Sequence, residues 1–182
     1  MTRTLLALLA IVFAAPAAAA GESALPLRAI ADLPLAGEAT RLDYQSLDPK
    51  THLLFVAHLG DGVVHVIDVE KQKVVADIPD VAKVHGVVVV PELGRAYATA
   101  TGSREIVAID EKTLKVLARI PGEGYPDGLA YDPSTLKLYV SDEEGGQEVV
   151  IDMRENRRVA TIPVGGEAGN TQYDAASGHI FV

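Results

Sequence analysis

The chain has 182 residues, 48% of them hydrophobic, and a formal net charge of -9. This places it in the globular range with a buried core, and it disfavours nucleic acid as a partner, because phosphate binding rests on neutralisation by Lys and Arg. Cysteine is absent, which excludes disulfide frameworks, thiolate zinc sites and cysteine nucleophiles.

At the N-terminus, Arg3 supplies a short positive region, Leu5 to Ala15 an apolar run, and Ala18-Ala19-Ala20 a small-residue site before Gly21. This is the pattern of a cleavable signal peptide over residues 1–20, and cleavage is expected after Ala20. The apolar run is shorter than the roughly 20 residues of a membrane span. A periplasmic or secreted protein is therefore expected. In residues 21–40, Ala31-Asp32-Leu33-Pro34 echoes Ala76-Asp77-Ile78-Pro79 further on. Leu27 to Leu35 is accordingly expected to form an outer, closing strand.

From residue 41 onward a 42-residue period governs the sequence. Phe55, Tyr97, Tyr139 and Phe181 share one register, as do Ile67-Asp68, Ile109-Asp110 and Ile151-Asp152, and as do Pro79, Pro121 and Pro163. The modules are 41–84, 85–126, 127–168 and a partial 169–182. Each holds four short runs rich in Val, Ile and Tyr; in the third module they are Asp127–Asp132, Lys137–Asp142, Glu148–Asp152 and Arg158–Val164. Such runs between turn signals are strands. Val87-Val88-Val89-Val90, apolar at successive positions, is a strand covered on both faces. Gly and Pro in every module, and the lack of a sustained 3.6-residue period, exclude a helical repeat. The fold class is all-β, a β-propeller of four-stranded antiparallel blades. The repeated Asp68, Asp110 and Asp152 are expected to accept backbone N–H bonds in turns, as scaffold.

Tyr139-Val140-Ser141-Asp142, Val149-Val150-Ile151-Asp152 and Ala160-Thr161-Ile162-Pro163 resemble the YVTN propeller repeat. Val84-His85-Gly86 with Pro91-Glu92-Leu93-Gly94, and Tyr125-Pro126-Asp127-Gly128 with Tyr131-Asp132-Pro133, resemble its YncE-like subset. The resemblance covers residues 40–182 and implies seven blades. About 3.5 blades are present, and seven at this period would take about 290 residues. A gene fragment is therefore expected, whose open blade faces and strand edges invite self-association.

In such blades the loop before the first strand and the loop between the second and third strands open at one end. Around the central channel, Asp43, His85, Asp127 and Gly169 start the first strands, with Asn170 adjacent and His58 in a neighbouring loop. These positions vary from blade to blade, so Asp43, His58, His85, Asp127 and Asn170 are the candidate ligand-binding residues. Their carboxylates and imidazoles suit a cation or a polar ligand; their structural alternative is satisfaction of backbone groups where strands enter the channel. His52, His65 and His179 are expected to be surface or sheet residues. Gly122-Glu123-Gly124 leads into a strand and not a helix, so it is no dinucleotide fingerprint, and Asp142 to Gly146 lacks the spacing of an EF-hand loop. No catalytic residue, metal or cofactor is assignable. The expectation is a non-catalytic binding or scaffold module that recognises a small molecule or a protein on the loop face. The alternative is a propeller enzyme, a lactonase-like hydrolase or a metal- or quinone-dependent oxidoreductase, with its metal or cofactor at the channel mouth.

Overall fold

The computed structural model describes residues 27–182; the signal-peptide segment lies outside the described residues. By its contacts the chain divides between Asp32 and Leu33. Residues 27–32 carry no regular element, and all described strands belong to the second unit. Among the described residues no helix is long and apolar enough to cross a membrane.

The second unit is all-β. Strands β1 (Leu42–Asp48), β2 (Leu53–His58), β3 (Val63–Asp68) and β4 (Lys73–Ile78) form the first sheet; β5 (Val84–Val90), β6 (Arg95–Ala100), β7 (Glu105–Asp110) and β8 (Lys115–Pro121) form the second. The third consists of β9 (Pro126–Asp132), β10 (Lys137–Asp142), β11 (Gln147–Asp152) and β12 (Arg157–Pro163), and β13 (Gln172–Asp174) pairs with β14 (His179–Phe181) in a two-stranded fourth. Each sheet is an antiparallel meander in chain order. The bounds expected for the third module hold to within one residue. Residues 27–35, expected as an outer strand completing the last blade of the ring, carry no strand. A strand exists only by pairing with a neighbour, and the last blade is not among the sheets described.

The turns explain the 42-residue register. His52, Gly94, Leu136 and Gly178 each have positive φ, as do Gln72, Leu114 and Asn156 at the next hairpin. A left-handed residue closing a short loop matches the twist of the flanking strands. The aspartates ahead of these loops accept backbone N–H groups: Asp68 from Lys71 at 2.8 Å, Asp110 from Thr113 at 2.7 Å and Asp152 from Arg154 at 2.9 Å. The periodic carboxylates are scaffold, as expected.

Packing follows the pleat. In the middle sheet Ala96, Ala98, Val107 and Ile109 face the first sheet, with Phe55, Val64 and Val66 opposite. Tyr97, Ile106 and Ala108 face the third, against Leu138, Val140 and Ile151. Successive side chains point to opposite faces, so a sheet apolar on both faces is buried on both. The first strands β1, β5, β9 and β13 lie side by side from sheet to sheet, so they line the inner side of the stack.

Candidate functional site

The inner strands bring four repeat positions to one rim. Tyr44 donates its hydroxyl to Asn170 Oδ1. These two residues hold the same repeat position three modules apart, and the positions between are Gly86 and Gly128. Glycine is required at position 86: a Cβ there would lie 2.6 Å from the Asp127 carbonyl oxygen and still closer to Leu129 Cδ2.

One position earlier stand Asp43, His85 and Asp127. His85 is buried. Its Nδ1 lies 2.9 Å from the Lys83 carbonyl and 2.8 Å from Thr101 Oγ1, and Thr101 donates its own proton to the Pro126 carbonyl. Nδ1 therefore carries the hydrogen, and Nε2 accepts from the Tyr125 hydroxyl at 3.2 Å. Asp127 is half-buried, and burial raises its carboxyl above the usual range; His85 and Arg41 pull it down while the Asp43 charge pushes it up. Arg41 is itself engaged by Asp43 at 2.7 Å. Beside this group Tyr125, Glu143, Glu144 and Glu167 line a cleft of about 410 Å³. A hydrogen bond with Glu167, then burial, raises the Glu143 carboxyl above its usual range.

Asp43, His85 and Asp127 thus share one electrostatic neighbourhood, and Asn170 meets the inner face through Tyr44. His58 does not join them. It is buried at the end of β2, with Nε2 2.8 Å from Thr40 Oγ1 and Nδ1 2.9 Å from His65 Nε2. His65 Nδ1 in turn lies 2.6 Å from Asp77 Oδ1. Asp61 flanks the row, 3.1 Å from Thr40 Oγ1 and 3.7 Å from His58 Nε2. His65 is a sheet residue, as expected, lying in β3; it is also 1% exposed and joined at both ring nitrogens. Its signal in the sequence was the register, since the same position holds Val107 and Val149 in the next modules. Among the described residues no three His, Asp or Glu side chains are grouped as ligands for one metal ion.

No protein-family model matches the chain. No curated protein matches it either. Among solved structures it is similar to the hydrazine synthase of Kuenenia stuttgartiensis, at 18% identity and TM-score 0.67, over 72% of this chain and 38% of that one. It is similar also to U3-55K, at 19% identity and TM-score 0.65, over 74% of this chain and 42% of that one. Both are β-propeller-type folds. The fold of this chain is a β-propeller. Its sheets are blades, and the chain spans about two fifths of the length of each of these relatives. As many as 677 solved chains match it, so the fold by itself selects no activity.

Proposed function

We propose that the chain is part of an exported, seven-bladed YVTN/YncE-like propeller whose channel mouth works as a non-catalytic binding site and takes a small organic cation. The observation that carries this reading is the convergence of Asp43, His85 and Asp127 from three successive blades, next to a cleft lined by Glu143, Glu144 and Glu167. Scaffold residues recur in every blade, whereas these differ from blade to blade. One guanidinium, Arg41, faces the group, and Asp43 already engages it. The negative charge left over favours a positively charged ligand, and the low-dielectric setting of Asp127 strengthens its attraction. The motifs around Tyr139 and His85 support the family, and the pattern around Ala20 supports export.

Calorimetric titration of the purified chain with a series of small mono- and diamines tests the proposal. Binding should weaken as salt is raised, and Asp127→Asn should weaken it by roughly 10-fold or more, the size of a lost charge-assisted hydrogen bond. Binding unchanged by Asp127→Asn and Asp43→Asn, or no binding at all, overturns it. Stoichiometric metal retained through purification would instead favour the enzymatic alternative.

A further inference from the structure

The geometry points to a second site on the first blade, a hydroxyl nucleophile at Thr40 served by a paired-imidazole relay and acting on esters of small acyl groups. Thr40, His58, His65 and Asp77 form one unbroken row of hydrogen bonds at 2.8, 2.9 and 2.6 Å. With both rings neutral, one direction of donation satisfies every member. Thr40 O–H donates to His58 Nε2, His58 Nδ1–H to His65 Nε2, and His65 Nδ1–H to Asp77 Oδ1. Asp61 Oδ1, at 3.1 Å, is the competing acceptor for the Thr40 proton. A hydroxyl within hydrogen-bond reach of a base that is itself oriented by a third group is the arrangement of an activated nucleophile.

The row has no scaffold counterpart. The same four repeat positions hold Ala82, Ala100, Val107 and Arg119 in the second module, and Gly124, Asp142, Val149 and Thr161 in the third. A contact needed to build a blade would recur; this one occurs once. It also places two imidazoles, each at most 3% exposed, at positions where the second blade uses Ala and Val. Burying polar rings costs stability unless hydrogen bonds satisfy them, and the row gives each ring nitrogen a partner. The ends of the row are open, since Thr40 is exposed and the Asp77 side chain is 43% exposed. At the Thr40 end lies a pocket of about 230 Å³ lined by Leu35, Gly37, Glu38, Ala39, Leu42 and His58. That volume suits a short acyl chain, and its Leu35 and Leu42 walls suit an apolar one.

The chemistry needs no cofactor. Thr40 Oγ bonds to the ester carbonyl carbon while His58 Nε2 takes the hydroxyl proton. Asp61 at 3.7 Å, and Asp77 through His65, stabilise the imidazolium that forms. Breaking the ester C–O bond expels the alcohol, which takes the proton back from His58. Water activated by the same imidazole then cleaves the acyl-threonine, releasing the carboxylic acid and restoring the hydroxyl. Thr40 and His58 are the catalytic residues, and His65 and Asp77 position them.

Treatment of the full chain with p-nitrophenyl acetate tests the site. One equivalent of p-nitrophenolate should be released in an initial burst, with one acetyl group on the peptide that carries Thr40, located by mass spectrometry. Thr40→Ala should abolish both burst and label, and Thr40→Ser should restore them; Thr40 is exposed, so these variants keep the fold. Asp77→Asn should slow acetylation by on the order of 100-fold and change its pH profile, which a merely structural partner would not do. An equal burst from Thr40→Ala, acetyl groups found only on other residues, or no burst overturns the proposal. Amine binding at the channel mouth does not depend on Thr40, so the two readings fail separately.

Discussion

Glu111, in the turn after β7, turns its carboxyl to that of Asp48 at the end of β1, so the first two blades meet through a pair of carboxyl groups. Both residues are buried, at 6% and 1% exposure. One blade further on, the same two positions are Val90 and Met153, both part of the apolar core between the second and third blades. The chain therefore holds a polar and an apolar version of one joint. Burial, followed by the hydrogen bond and charge of Asp48, pushes Glu111 up to about 7. Burial opposes the charge on Asp48, but the Lys50 N–H, the Glu111 carboxyl and Thr51 outweigh it and hold Asp48 below the usual range. In the fold Glu111 holds its proton up to about pH 7, and its Oε1 is buried without a hydrogen-bond partner.

The first prediction follows from that proton. The folded-state value of Glu111 lies above its ordinary 4.5, so the native chain binds more protons than the unfolded one between about pH 4.5 and 7. The stabilisation is complete below that window and is lost as pH rises through it. Glu111→Met, which copies Met153, should raise stability at pH 8 by about 1–3 kcal/mol and leave pH 5 nearly unchanged. Urea unfolding at the two pH values reads the difference.

Glu148 makes the same prediction at another joint. It stands where the earlier blades have Val64 and Ile106, and it meets Thr171, where they have Val87 and Leu129. Thr171 donates to one carboxyl oxygen at 2.9 Å, while the other is buried without a partner. Burial raises Glu148 to about 7 against the weaker, lowering effect of Thr171. Glu148→Gln keeps an acceptor for Thr171 and removes the charge. It should stabilise the chain by about 1–3 kcal/mol at pH 8 and flatten the loss of stability between pH 5 and 8. Combined with Glu111→Met, it should flatten the pH dependence of thermal unfolding further than either change alone.

Gly86 is the tightest point of the inner wall. A methyl group there meets the Asp127 carbonyl oxygen and Leu129 Cδ2, and so drives β5 away from β9. Gly86→Ala should cost about 2–3 kcal/mol, the scale of an overpacked core, and should weaken amine binding with it by displacing Asp127. Gly169 starts the partial fourth blade at the position of Asp43, His85 and Asp127, and a Cβ there has open space. Gly169→Ala should therefore change neither stability nor binding, and chemical denaturation of the pair separates the two effects.

What the sequence determined by itself was the local and periodic part of the protein. Alternating apolar runs, loop residues and the aspartates that cap them act over a few positions, and a hydrogen-bonded hairpin such as Asp110 with Thr113 is complete within one module. Repetition of those local decisions every 42 residues was enough to give strands, blades and the inner rim that carries Asp43, His85 and Asp127. The pairings across blades were decided only by tertiary structure. Glu111 reaches Asp48 because two sheets pack face to face, and Tyr44 reaches Asn170 because two glycines between them leave the inner wall open. His65 is a strand residue, as expected, but its neighbours in sequence, Val64 and Val66, point to the other face and reveal none of its partners. Its true partners, His58 and Asp77, come from the adjoining strands, and side chains separated along the chain meet only where the strand register sets them opposite one another.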